Sequence, residues 1–103
     1  MKLIYLFLLF FFTCIGNSAF SSEEVLELGK QIFKEKGNCA TCHTFIDAQS
    51  NGNIGPNLNE IRPDLERVIV AVTNGMGVMP AYQDELTQSE IEAVATYVSE
   101  KAD

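Results

Sequence analysis

Apolar positions recur at helical spacing in three stretches of the chain, and no such pattern runs through the long segment between the first two. Val25, Leu28, Ile32 and Phe33 mark the first stripe, which predicts a helix from about Ser22 to Lys36. Ser21 or Ser22 is placed to cap it, Glu23 and Glu24 fall in its electropositive first turn, and Gly37 ends it. A second stripe, Leu65, Val68, Ile69 and Val72, begins near Pro63, a favoured first helical residue, and stops at Asn74 and Gly75. The third has the plainest start signal. Thr87 and Glu90 form a capping box ahead of Ile91, Val94, Ala95 and Val98, and the helix is expected to end near Lys101. The pattern predicts a small all-α fold with three main helices.

Between the first two helices, Thr44 to Arg62 contains Asn51, Gly52, Asn53, Gly55, Pro56, Asn57 and Asn59, a composition that favours turns over regular structure. A loop of that length inside a small domain usually wraps something.

The N-terminus has a different character. Met1 and Lys2 precede an almost wholly apolar run from Leu3 to Ile15, followed by Gly16, Asn17, Ser18 and Ala19. The run suits the core of a secretory signal, about 7–15 residues, and falls short of the roughly 20 that cross a bilayer. Residues 1–19 are therefore expected to be a signal peptide, with cleavage after Ala19 or after Ser21, and no permanent membrane anchor is expected. Lipid attachment at Cys14 would need a small residue just before it, where the chain has Phe12 and Thr13. Residues 22–103 are then the single folded domain.

Charge and size narrow the function. The 103-residue chain carries 7 basic and 14 acidic side chains, net −7, and loss of Lys2 with the leader takes the balance to −8. Such acidity argues against nucleic acid as a partner. A mature chain this short gains little net stability from an apolar core alone, so a covalent staple or a cofactor is expected.

Cys39, Ala40, Thr41, Cys42 and His43 form C-x-x-C-H, the attachment pattern for c-type haem. On one helical turn, positions i, i+3 and i+4 share a face. Both thiols then reach the two vinyl groups of one haem while the imidazole points at its iron. A closed zinc site wants four ligands, and the mature chain offers two Cys and one His. His43 is the only histidine, so a bis-histidine haem within one chain is excluded. The sixth position falls to Met, Lys, water or nothing; Met76 and Met79 are the methionine candidates, and a thioether there raises the potential.

At these residues the chain resembles the class I cytochromes c, small single-haem proteins, from about Leu26 to Val98. Gly29 and Phe33 on the first helix and Tyr97 on the last match the family's helix crossing. Gly55, Pro56, Asn57 and Leu58 match its G-P-x-L segment, whose proline carbonyl accepts a hydrogen bond from the ligand histidine. Gly77, Val78, Met79, Pro80, Ala81 and Tyr82 look like its ligand loop. The resemblance implies the cytochrome c fold, with the helices wrapped around one covalent haem c, and it makes His43 and Met79 the iron ligands. Leu58 and Tyr82 are expected to wall the haem. Phe45, Ile46, Ile61 and Val72 are weaker candidates for the wall, and Arg62, then Arg67, for pairing with the propionates.

A haem with both axial positions filled offers no open site to a substrate, so the expected role is electron transfer and not catalysis. The resemblance implies a periplasmic carrier that docks transiently on redox partners. The segment Asn74 to Pro80 looks most like small cytochromes that serve molybdenum sulfite dehydrogenases, while a terminal oxidase or a photosynthetic partner would use the same residues. Two other readings stand beside it. One is a gas- or peroxide-binding haem protein with a labile methionine, which Gly75 and Gly77 permit. The other is a fixed subunit of a larger oxidoreductase.

Overall fold

Each α-helix of the described residues begins on a side chain that accepts a hydrogen bond from the first turn. The computed structural model describes residues 21–103, so the expected leader at 1–19 lies outside the described residues. In α1 (Ser22–Lys34) the Ser21 hydroxyl accepts from the Glu24 N–H; in α2 (Leu58–Ile61) the Asn57 side chain accepts from Asn59 and Glu60. Asp64 caps α3 (Leu65–Asn74), and α4 (Gln88–Lys101) opens on the full Thr87–Glu90 capping box.

Two helix boundaries differ from expectation for local reasons. The backbone leaves the helix at Glu35, and the Gly37 N–H turns back to the Ile32 carbonyl at 2.7 Å, so α1 ends at Lys34 and not Lys36. Asp64, with its side chain on the Arg67 N–H at 2.8 Å, is the cap of α3. Pro63 therefore precedes the helix instead of opening it. The middle segment is also more ordered than its composition suggests. It contains α2 and a two-stranded antiparallel ribbon, β1 (Thr44–Phe45) and β2 (Ser50–Asn51), with Thr44 opposite Asn51 and Phe45 opposite Ser50.

The core forms where α1 crosses α4. A Cβ at Gly29 would collide with the Ala93 carbonyl oxygen and come within 2.5 Å of Tyr97 Cβ, so only glycine permits this approach. Around the crossing, Phe33, Phe45 and Tyr97 pack with ring centroids 5.2–5.9 Å apart, in tilted and edge-on arrangements that suit aromatic quadrupoles. The buried Tyr97 still satisfies its hydroxyl, which donates to Asp47 at 2.6 Å, and Lys30 lies 3.5 Å from the same carboxylate. α3 packs on α4 through Val68 and Val72, while Leu65 at its start is substantially exposed. Lys36 pairs with Glu90 at 2.8 Å and so joins the exit of α1 to the start of α4.

Candidate haem site

The turn carrying the two cysteines is a single short 3-10 turn, Cys39–Thr41, preceded by Asn38 in the left-handed region at φ 52°. The Cys42 N–H donates to the Cys39 carbonyl at 3.1 Å and the His43 N–H to the same oxygen at 2.9 Å. One helical turn thus brings positions 39, 42 and 43 to one side, as the spacing predicts.

All three open into one cavity of about 500 Å³, within the range of small-molecule and cofactor pockets. Pro56, Leu58, Met79 and Tyr82 line the same cavity, so it gathers the two cysteines, the histidine and these four residues in one place. Met76 also reaches it but is 65 % exposed, whereas Met79 is partly buried against the core.

The histidine is held from three directions. Its Nδ1 is 2.8 Å from the Pro56 carbonyl, and since a carbonyl only accepts, the proton sits on Nδ1 and the lone pair on Nε2. Nε2 has no hydrogen-bond partner among the described residues. The Gly55 N–H donates to the Cys42 carbonyl at 2.8 Å, which pins the Gly55–Pro56 segment beside the ring. From β2, the buried Ser50 hydroxyl donates to the His43 carbonyl at 2.8 Å. A Cβ at Gly55 would lie 2.5 Å from His43 Cε1, so that position must stay without a side chain.

Met79 sits at the end of a tight turn. The Met79 N–H donates to the Met76 carbonyl at 3.0 Å and the Met76 N–H returns to the Met79 carbonyl at 3.1 Å, with Gly77 at φ 59° between them. Three residues on, the Tyr82 N–H bonds the Val72 carbonyl at 2.8 Å and its hydroxyl donates to the Gly37 carbonyl at 2.6 Å. Burial pushes the Tyr82 phenol up, so it stays a donor.

Other expectations are corrected by the packing. Ile61 and Val72 line the cavity, but Phe45 is wholly buried in the aromatic cluster and Ile46 faces outward at 71 % exposure. Arg67, not Arg62, reaches the lining. Arg62 instead occupies the left-handed region at φ 43° as the cap residue that closes α2. Val68, Val94 and Val98 join the wall from the helix stripes. Periodicity marks those residues as inward-facing without telling packed core from cavity wall.

The chemistry of the donor set fits a haem. A pocket this large and this apolar, with two thiols and one imidazole in its lining, suits a large flat cofactor. Cys39 and Cys42 are both free thiols. Burial pushes the Cys39 thiol up to about 12, the opposite of what a reactive redox dithiol needs. Among the described residues no group of three or more His, Cys, Asp or Glu side chains is gathered as a set of metal ligands.

Comparison with known proteins agrees with this construction. Residues 24–98 match the family described as "Cytochrome C oxidase, cbb3-type, subunit III". The chain is 35% identical to cytochrome c6 of Leptolyngbya boryana over 79 residues, 73% of this chain and 91% of that one. It is 40% identical to cytochrome c6 of Gloeothece citriformis over 81 residues, 73% of this chain and 70% of that one. The crystal structure of the c-type cytochrome SorU from Sinorhizobium meliloti superposes with a TM-score of 0.75 at 55% identity, covering 79% of this chain and 94% of that one. The chain belongs to the class I c-type cytochromes. Members of the family carry a covalently attached haem c, and the segment Cys39–His43 fits that attachment; the protein is a small haem c electron carrier.

Proposed function

We propose that the protein shuttles single electrons on a His43/Met79-ligated haem in the periplasm. The observation that carries this reading is the convergence of Cys39, Cys42, His43 and Met79 on one apolar cavity, with His43 oriented by Pro56 so that Nε2 is free to ligate. A bound haem c supplies a one-electron iron couple. Cys39 and Cys42 would hold it through thioether bonds, while the Pro56 carbonyl fixes the imidazole's tautomer and raises its basicity. Leu58 and Tyr82 exclude water from its face. With His43 and Met79 both ligating, the iron would have no position left for a substrate, which is the reason for reading a carrier and not an enzyme.

Export rests on the apolar leader at 1–19, removed at Ala19 or Ser21, and among the described residues no helix is long and apolar enough to cross a membrane. The proposed partners are a donor dehydrogenase, a sulfite dehydrogenase by the resemblance of segment 74–80, and a terminal oxidase as acceptor. Docking is transient and governed by charge and a small contact area.

The test is the visible and far-red spectrum of the exported holoprotein, native and Met79→Ala. The native protein is expected to show the weak sulfur-to-iron charge-transfer band and the variant to lack it. A native spectrum without that band, together with rapid carbon monoxide binding, replaces the carrier by a gas- or peroxide-binding protein.

A further inference from the structure

The methionine loop packs on the core through Met79, Tyr82 and Leu86 but has few hydrogen bonds to the rest of the described residues. From Gly75 to Leu86 the backbone hydrogen bonds are local or run to α3: Gly75 to Ala71, Met76 and Met79 to each other, Tyr82 to Val72, and Glu85 and Leu86 to Tyr82. Among the described residues, one hydrogen bond joins this stretch to the first half of the chain, from the Tyr82 hydroxyl to the Gly37 carbonyl at 2.6 Å, across 45 positions of sequence. The tip of the loop is otherwise open, with Val78 86 % exposed.

The receiving end of that bond is rigid. The Gly37 N–H is held by the Ile32 carbonyl at the end of α1, and a Cβ on Gly37 would lie 3.2 Å from Cys39 Sγ. Tyr82 therefore spans from the segment bearing Met79 to the turn that enters the two cysteines. We infer that Tyr82 is a positioning residue that keeps Met79 seated in the cavity by bracing the methionine loop against the cysteine turn. The inference rests on Met79 as iron ligand. Its physical basis is that an exposed loop tip with one long-range hydrogen bond opens locally at lower cost when that bond is removed, which raises the open population directly.

The test measures cyanide binding to the oxidised holoprotein, which reports how often the sixth position is free, for native, Tyr82→Phe and Tyr97→Phe. Phenylalanine at 82 keeps the ring against the cavity and removes only the donor. Tyr97→Phe removes a phenolic bond of the same 2.6 Å length, to Asp47, at a site that does not line the cavity. Binding by Tyr82→Phe is expected to be about two- to tenfold faster than native, in line with the loss of one hydrogen bond, with Tyr97→Phe at the native rate. Equal rates for all three, or equal acceleration in both variants, overturns the bracing role. A native protein without the far-red sulfur-to-iron band strikes the ligand assignment itself and takes this inference with it, so the two failures have separate signatures.

Discussion

Gly55 packs so tightly on His43 that one added methyl group probes the construction of the site. A Cβ there would lie 2.5 Å from Cε1, 2.9 Å from Nδ1 and 3.0 Å from Nε2, all inside the 3.4 Å at which ordinary contact begins. Relief requires a shift of about 0.9 Å at the closest contact, by the ring or by the Gly55 backbone. Neither is free to move, because the Gly55 N–H is bonded to Cys42 and the ring to Pro56, each at 2.8 Å. Overpacking costs about 1–3 kcal/mol and a strained or lost hydrogen bond about 0.5–1.5 kcal/mol, together about 1.5–4.5 kcal/mol, and Gly55→Ala should lose about 2–3 kcal/mol, near the middle of that span. In a domain of this size that lowers Tm by roughly 8–24 °C. The reduction potential should rise as well, because a weaker bond to Pro56 makes the imidazole less electron-rich and favours reduced iron. Thermal unfolding followed by far-UV circular dichroism and a spectroelectrochemical titration read the two effects. A variant with native Tm and native potential would refute the steric and hydrogen-bond reasoning together.

Two further outcomes follow from the packing around Tyr97. Gly29→Val should separate α1 from α4 and cost about 3 kcal/mol or more in urea denaturation, a loss below about 1 kcal/mol counting against the close crossing. Asp47 is held below the usual carboxylate range, chiefly by the Tyr97 hydroxyl and then by Lys30. A depressed carboxylate stabilises the fold above its unfolded-state value, and that contribution disappears as pH falls through the folded value. Asp47→Asn should therefore weaken the fold by about 1 kcal/mol at pH 7, the group being partly exposed, and flatten the acid side of the stability profile. An acid limb as steep as native in the variant would assign the proton uptake elsewhere.

The parts of the fold legible in the sequence are those set by local rules. The capping box at Thr87 and Glu90, the stripe of α4 and the C-x-x-C-H turn each depend on residues within one or two helical turns, and each forms as its spacing indicates. What escaped depends on partners far along the chain. The 44–51 ribbon is too short for a period-2 signal, and it is held by side-chain bonds such as Thr44 to the Gly52 carbonyl at 2.8 Å. Asn59 links the Ile46 N–H to the Ala102 carbonyl, a bridge that no window of sequence contains. Phe45 and Ile46 are adjacent apolar residues, yet one is buried and the other exposed, because the ribbon alternates faces and the turn after it begins at Ile46. Arg67 and Arg62 differ in the same way: the helix carries the first to the cavity, while the left-handed cap keeps the second out of its lining.

The two candidate axial residues are supported unequally, and the asymmetry bears on how such a carrier works. His43 is fixed through its ring by Pro56, through its carbonyl by Ser50 and through its N–H by Cys39, and Gly55 leaves the ring no room on one side. Met79 follows a two-residue turn, and among the described residues the one hydrogen bond from its loop to the first half of the chain is made by the Tyr82 phenol. Fast electron exchange asks that neither ligand shift when the iron changes charge. A histidine restrained on every side meets that demand by geometry. A methionine on a short loop meets it only while the loop is closed. In the proposed ligation, the sixth position is therefore the one expected to open first, and cyanide binding that left Tyr82→Phe at the native rate would refute that ordering.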